Sequence, residues 1–369
     1  MEHNGRSMST ALRFSRIEAE KQPQLLQAIR SILTEVGAHN VAIYDQQYWD
    51  WQYRQLPTST SYVYAAWDGD KIIGYYHVPV YRCSINGQKK LIGNIQDVAV
   101  DPNYRGSGLF RKLAEFANAD LNTSGIDLIY TFPNDKSIHT FLKYNNFELV
   151  GAVSAYIRPV SSAGIIRSKV NLFGMEKLFG WLGDSLIDLF SSKIRSMDSE
   201  VETIIEVTNE VVEVFSEFSN GFKAHLIRDK AWLNWRYLNS ARGKHHVLTL
   251  REAGKMTAVL VVKGDDMLGN PALLIMDFAH LPGKEASLLH LIDQVRKQPQ
   301  LTGSKFNLMF VSGLSPVLDT FKEVGFIRIP NQLNPRTLNL LTRTCSEMDG
   351  TVIITPDNWL LTLGDWDVF

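Results

Sequence analysis

The sequence predicts an α+β protein of two tandem domains, each a mixed, mostly antiparallel sheet flanked by helices. Three observations carry this. The hydrophobic period alternates between helix and strand in the order strand, two helices, three antiparallel strands, helix, strand, helix, strand. The same order of landmarks returns in the second half of the 369 residues, a length that already exceeds one ordinary domain. Finally, the strand ending Val98-Ala99-Val100 passes through a proline and closely spaced glycines directly into an amphipathic helix.

The elements follow in order. Leu12–Ile17 alternates as a first strand, and Lys21–Val36 carries Leu25, Leu26, Ile29, Ile32 and Leu33 at helical spacing, with Gly37 as its stop. A second helix is expected over Asp45–Leu56, before Pro57. Tyr62–Trp67 and Lys71–Tyr81 form a hairpin about Asp68-Gly69-Asp70, and a turn at Asn86-Gly87 leads into the strand Lys89–Val100. Arg105–Leu121 is helical, Leu128–Phe132 a short buried strand, Lys136–Asn145 a helix, and Phe147–Arg158 closes the sheet.

Residues 161–200 read as a helical connector, with Leu172, Leu178, Leu182, Leu186 and Leu189 at helical spacing among several glycines. A membrane-surface helix is disfavoured there, because Asp184 and Asp188 spoil a basic face. Beyond it the first pattern recurs. Trp51 and Tyr53 before one hairpin match Trp235 and Tyr237 before another, and Asp97-Val98-Ala99 through Pro102 is echoed by Asp277-Phe278-Ala279 through Pro282. Phe141 and Phe147 correspond to Phe321 and Phe326. The offset is nearly constant at about 180 residues, the behaviour of a duplication. The expected layout is a disordered N-terminus over 1–10, a domain over 11–160, the connector, and a second domain over 201–369.

Composition narrows the partners. A net charge of -1 gives no global reason to expect nucleic acid, and 45% apolar residues suit a soluble globular protein. No stretch is long and apolar enough to span a membrane, and the start of the chain lacks a signal peptide. The two cysteines, Cys83 and Cys345, have no metal-ligand spacing and read as buried core thiols in a reducing compartment, so the expected location is cytoplasmic and no metal is expected.

The loop Asp101-Pro102-Asn103-Tyr104-Arg105-Gly106-Ser107-Gly108-Leu109 is an anion cradle. Its glycines let the backbone approach a ligand, the first N–H groups of the helix lack internal partners, and the helix dipole favours negative charge. Arg105 adds a charged donor. A Walker A loop is excluded by the missing Gly-Lys-Ser/Thr ending, and a dinucleotide fingerprint by the antiparallel meander before the loop.

The segment resembles the pyrophosphate loop of the GNAT acyltransferase superfamily, whose pattern is Arg or Gln, two residues, Gly, one residue, then Gly or Ala. Arg105 and Gly108 match it, and Gly106 is a frequent extra glycine. Phe110 departs where a small residue is usual; its ring either turns into the core or crowds the phosphates. Downstream, Asn134-Asp135-Lys136-Ser137-Ile138, Phe141 and Asn146-Phe147 resemble the family segment beside the coenzyme, with Asn134 and Ser137 near pantetheine and pyrophosphate. The resemblance spans residues 12 to 158, with specific motifs from 96 to 147. It implies acetyl-CoA as acyl donor, bound by Val98, Ala99, Val100, Arg105, Gly106, Ser107, Gly108, Leu109, Phe110, Asn134 and Ser137, with no metal. After Pro282 the second half has only Gly283-Lys284-Glu285, with a carboxylate beside its one glycine, so a duplicate there has lost coenzyme binding.

Transfer to an amine needs a base, an acid and a polarised thioester carbonyl. A backbone N–H near Val98 to Val100 suits the carbonyl. The family's acid tyrosine falls at Leu142, which leaves Tyr144 as a substitute on another face of the helix. Base candidates are Asp97, then Glu115 and His139. Set against these, Asp97 makes a strand-end hydrogen bond or ion pair, and His139 is an exposed helix residue. The aromatic C-terminus reads as docked. Together with Leu233-Asn234-Trp235-Arg236-Tyr237 it resembles GNAT-like proteins of bacterial surface-polysaccharide synthesis. That likeness implies an amino-sugar acceptor with contacts at Asp365 and Asp367; the alternative is a solvated acidic turn. Three functions compete: an acyl-CoA-dependent N-acyltransferase acting on a small amine, a weak or inactive GNAT-fold scaffold, and a tandem fold using aminoacyl-tRNA, which the net charge does not support.

Overall fold

The computed structural model describes residues 12–17, 22–35, 45–133, 137–161, 197–267, 269–303, 305–330, 338–348 and 350–366. The expected disordered N-terminus, residues 162–196 of the expected connector, Asn134 and Asp367 lie outside them. The chain divides into two compact units that are not continuous in sequence. The first takes the residues up to Tyr81, then Leu91–Glu148 and Thr342–Met348; the second takes Arg82–Lys90, Leu149–Leu341 and Asp349–Phe369.

In the first unit β1 (Arg13–Arg16) pairs antiparallel with β2 (Ser61–Asp68), and β2 with β3 (Lys71–Ile85). The strand β4 (Gln88–Val100) follows a turn in which Asn86 and Gly87 both have positive φ, the backbone that a two-residue hairpin requires. Next, β4 pairs in parallel with β5 (Leu128–Thr131), in register from Ile92↔Leu128 to Ile95↔Thr131. Its helices are α1 (Gln22–Glu35), α2 (Gln46–Tyr53), α3 (Leu109–Leu121) and α4 (Ile138–Tyr144).

Local chemistry sets the helix limits. Asp45 caps α2 by accepting the Tyr48 amide, and α2 buries Tyr48, Trp49, Trp51, Gln52 and Tyr53. The helix expected from Arg105 begins only at Leu109, because Gly106 and Gly108 both lie at φ 77 and interrupt the helical turn. From there Leu109, Leu113, Ala114, Ala117 and Leu121 present one buried stripe. One expectation fails in part: Cys83 is buried, but Cys345 is only half-buried. It lies beyond a strand end, where its amide donates to the Asp127 carbonyl and its sulfur meets Arg343.

The second unit holds a further series of strands and helices. The strand Glu200–Ile204 pairs with His245–Glu252, that strand with Lys255–Met267, and that with Asn270–His280, all antiparallel. Asn270–His280 then pairs in parallel with Leu308–Leu314. Between these run the helix Asn209–Ser219, the short helix Lys230–Leu233 continuing as a π turn over Asn234–Leu238, the helix Glu285–Lys297, and the 3-10 helix Pro316–Val324. Leu308–Leu314 is also bordered antiparallel by Ser154–Pro159. Of the C-terminal aromatics, Trp359 is fully buried and its indole N–H donates to the Ile353 carbonyl, Trp366 is buried as well, and Phe369 lies outside the described residues.

Candidate active site

The turn after β4 is fixed before the glycines begin. The Asp101 carboxylate caps the 3-10 turn Pro102–Tyr104, accepting the Asn103 amide at 2.9 Å and its side-chain nitrogen at 3.0 Å. Lys71, at the start of β3, donates to the same carboxylate at 2.7 Å. Burial opposes ionisation of Asp101, but the Lys71 and Asn103 hydrogen bonds outweigh it and hold the carboxyl below its usual range. Tyr104 donates to Asp68 at 2.5 Å, so both ends of the turn are tied to the β2–β3 hairpin.

Beyond this anchor Arg105, Gly106, Ser107 and Gly108 are exposed, and Gly108 is the N-cap of α3 with no side chain to satisfy the first helical amides. A Cβ added at Gly106 or Gly108 would meet nothing within 4 Å, so the space over the loop is open. It opens into a cavity of about 560 Å³, walled by Val100, by the loop from Tyr104 to Leu109, and by Phe110, Arg111, Thr140 and Tyr144. Neutral backbone donors, a helix N-terminus and a guanidinium around open space are chemistry for a phosphorylated ligand.

This cavity brings together Val100, Arg105, Gly106, Ser107, Gly108, Leu109, Phe110 and Tyr144 of the sequence-derived residues. Phe110 is half-buried, with its ring edge-on to Phe141 at 5.5 Å, so it lines the cavity and does not sink into the core. Tyr144 is 43% exposed. Leu142 is exposed too and is not part of the wall. Ser137 stands at the start of α4, accepting the Thr140 amide through its carbonyl. Glu115 and His139 are exposed and outside the wall, with Glu115 facing Arg111 at 3.6 Å.

Asp97 is the last anchor of a different cluster. Its φ of 47 places it in the left-handed region, which interrupts the regular alternation of the strand. Its carboxylate is 2% exposed. Oδ2 accepts from Tyr53 at 2.5 Å and from Tyr48 at 3.2 Å, both on α2. His77 Nδ1 on β3 lies 2.6 Å from the Tyr53 oxygen. Because the Tyr53 proton goes to Asp97, His77 must donate from Nδ1, which leaves Nε2 as a buried lone pair with no hydrogen-bond partner among the described residues. Burial pushes His77 down to about 4 against the pull of Asp97, so its ring is neutral at pH 7. Burial first, and then the Asp97 charge, hold the Tyr53 phenol well above its usual value.

Sequence reasoning did not assign a site role to Tyr48, Tyr53, His77, Arg111 or Thr140. The sequence echo was the signal available for Tyr53. Tyr237, which echoes Tyr53 in sequence, donates to Asp277, which echoes Asp97, at 2.7 Å. In the second unit Asp277 also accepts from Arg228 Nε at 2.7 Å, and Arg228 Nη2 donates to Asp365 at 2.7 Å. Asp365 is therefore not an acceptor contact, nor is it solvated. It is buried, and it caps its own turn through the Thr362 amide. At the start of the helix Glu285–Lys297, the Glu252 carboxylate accepts from Lys284 at 2.7 Å and from the Ser287 hydroxyl. Among the described residues no cluster of His, Cys, Asp and Glu suits a metal ion, and no helix is long and apolar enough to cross a membrane.

No curated protein matches the sequence. Residues 38–150 match the acetyltransferase (GNAT) domain family. Among solved structures, a GCN5-related N-acetyltransferase from Anabaena variabilis is similar with a TM-score of 0.62 at 13% identity, covering 91% of this chain and 73% of that one. A conserved protein of unknown function from Enterococcus faecalis, a probable N-acyltransferase, gives 0.61 at 11% identity over 91% and 73%. N-myristoyltransferase from Saccharomyces cerevisiae, with bound myristoyl-CoA, gives 0.58 at 10% identity over 92% and 80%. At these identities the likeness is one of fold. Residues 38–150 are thus similar to a GNAT acetyltransferase domain, and the chain shares its fold with these N-acetyltransferase and N-acyltransferase structures.

Proposed function

We propose that the first unit is an acyl-CoA-dependent N-acyltransferase, with acetyl-CoA as donor and a small amine, such as an amino sugar, as acceptor. The observation that carries this reading is the open cavity over Gly106 and Gly108 at the N-terminus of α3, with Arg105 on its wall. In this reading the amides of Gly106 to Phe110 and the Arg105 guanidinium take the pyrophosphate. Asn134 and Ser137 flank the pantetheine, and a backbone N–H of Val98 to Val100 polarises the thioester carbonyl. The amine nitrogen attacks that carbonyl carbon, the C–S bond breaks, and Asp97 takes the proton the amine loses, directly or through water. Tyr48 and Tyr53 hold the Asp97 carboxylate in place. The leaving thiolate takes a proton from Tyr144 or from solvent.

We read residues 201–369 as a degenerate copy of residues 11–160, so that the chain is two GNAT-like domains joined by 161–200. The common order of elements and the paired Tyr53–Asp97 and Tyr237–Asp277 hydrogen bonds support a duplication. Glu252 at the helix start and Arg228 on Asp277 support loss of coenzyme and acceptor chemistry there. A scaffold role for the whole chain is favoured by one observation, that Leu142 stands exposed in place of the family's acid.

The test is calorimetric titration of the full chain with acetyl-CoA, beside Gly108→Glu. Binding that the variant loses supports the assignment, and unchanged binding by Gly108→Glu refutes it. Thiol release from acetyl-CoA in the presence of glucosamine or another amine then removes the scaffold reading.

A further inference from the structure

His77 is held by aromatic rings and by one hydrogen bond. Its side chain, on β3, is 1% exposed. Trp49 meets the imidazole edge-on at 5.1 Å, Tyr53 edge-on at 4.5 Å, and Tyr75 lies tilted at 5.4 Å. Nδ1 is 2.6 Å from the Tyr53 oxygen but 4.0 Å from Asp97 Oδ2, so the ring reaches the carboxylate through the phenol. A buried nitrogen without a hydrogen-bond partner, as Nε2 is among the described residues, costs stability. Phenylalanine or leucine would fill the same niche without that cost, so packing alone does not account for an imidazole here.

We propose that His77 is a positioning residue for the base, acting on Asp97 through Tyr53. This rests on the reading of Asp97 as the base and deepens it. A neutral imidazole has one N–H, and on Nδ1 it occupies a lone pair of the Tyr53 oxygen. The phenol then has no acceptor in the ring, and its proton goes to Asp97. A hydroxyl that accepts one hydrogen bond donates a stronger one, so the chain from Nδ1 to Oδ2 is directed and cooperative. The ring has to be neutral for this. A cation 4.0 Å from Asp97 would hold the carboxylate ionised and weaken it as a base, and burial, which pushes His77 down to about 4, prevents that. Among the described residues, Tyr48 and Tyr53 from α2 and Tyr75 and His77 from β3 are the titratable groups that face the carboxylate. In the transfer step the amine nitrogen bonds to the thioester carbon, the C–S electron pair leaves with sulfur, and the amine proton goes to Asp97. His77 and Tyr53 each keep their proton throughout.

Two measurements on the full chain test this: nitrogen resonances of isotope-labelled histidine, and thiol release from acetyl-CoA with glucosamine as acceptor across the pH range. The wild-type His77 ring is expected to carry its proton on Nδ1 and none on Nε2. His77→Phe keeps a ring and removes the donor. Its kcat is expected to fall by on the order of tenfold while coenzyme A affinity holds within about twofold. The acid limb of its kcat profile is expected to move to higher pH, because a carboxylate with a weakened donor takes up its proton earlier. His77→Asn, whose amide N–H stands where Nδ1–H stood, is expected to restore both rate and limb. A merely structural role would cost stability in both variants and leave the limb in place. A wild-type ring protonated on Nε2 overturns the inference, as does a folded His77→Phe with the wild-type rate and limb, or a folded His77→Asn as slow as His77→Phe. If His77→Phe does not fold, the wild-type tautomer decides, and a displaced limb in His77→Asn overturns the inference. Asp97→Asn separates the two readings. Full rate in that variant, or no thiol release by the wild type, overturns the base assignment and this inference with it. A slow Asp97→Asn beside a normal His77→Phe overturns this inference alone.

Discussion

Tyr53 donates to Asp97 at 2.5 Å, and Tyr237 donates to Asp277 at 2.7 Å, so each unit ties its short aromatic helix to the strand that leads towards its loop by the same bond. In the first unit the Tyr53 oxygen also accepts from His77. Removing it takes a donor from Asp97 and the acceptor from His77.

Tyr53→Phe is therefore expected to destabilise the first unit by roughly 2–4 kcal/mol, since a buried carboxylate loses a donor and the His77 N–H loses its acceptor. If Asp97 is the base, thiol release falls at least tenfold while coenzyme A affinity holds. Chemical denaturation, thiol release and titration on one preparation check all three.

Gly108→Ala isolates backbone strain from charge. Its Cβ would meet no atom within 4 Å, but the φ of 77 is unfavourable for any residue with a Cβ. A cost of about 1 kcal/mol is expected in stability or, if the loop relaxes towards a helical conformation, in coenzyme affinity. Calorimetry and thermal melting together show which.

Arg228→Met tests the second unit. Arg228 lies between Asp277 and Asp365, all three buried, and burial already raises the Asp365 carboxyl above its usual value. Taking away the guanidinium leaves two carboxylates without their shared cation, at an expected cost of about 3–5 kcal/mol in urea unfolding. Gly364→Ala is expected to act at the same place, because its Cβ would fall 2.1 Å from the Tyr237 oxygen.

Acid should unfold the protein early. Burial, as the first cause in each case, lowers His77 and His225 to about 4 and His245 to about 3. The unfolded chain protonates these rings near 6.5, so between that pH and about 4 it binds more protons than the folded chain. Stability is fully present above pH 6.5 and is lost as pH falls, by up to about 1.4 kcal/mol per pH unit for each ring. Urea midpoints at pH 7, 6 and 5 should fall steadily, and His77→Gln should reduce the slope.

Much of this was legible in the sequence. The strands and helices of the first unit follow from hydrophobic period, because each has one face on a core. The loop from Asp101 to Leu109 was legible because its chemistry is local: glycines that allow positive φ, a following helix and a nearby arginine. Helix starts were misjudged where Gly106 and Gly108 overrode the periodicity.

What the sequence alone determined was the element order, the echo between Tyr53 with Asp97 and Tyr237 with Asp277, and a glycine-rich loop leading into a helix, each encoded in neighbouring residues. Only the tertiary structure decided which distant side chains meet. His77 joins Tyr53 and Asp97 from another strand, Tyr144 comes to Arg111 from another helix, and Asp365, exposed on a reading of the sequence, is buried against Arg228. Such contacts depend on strand register and helix packing between segments up to more than a hundred residues apart, and no local period specifies them.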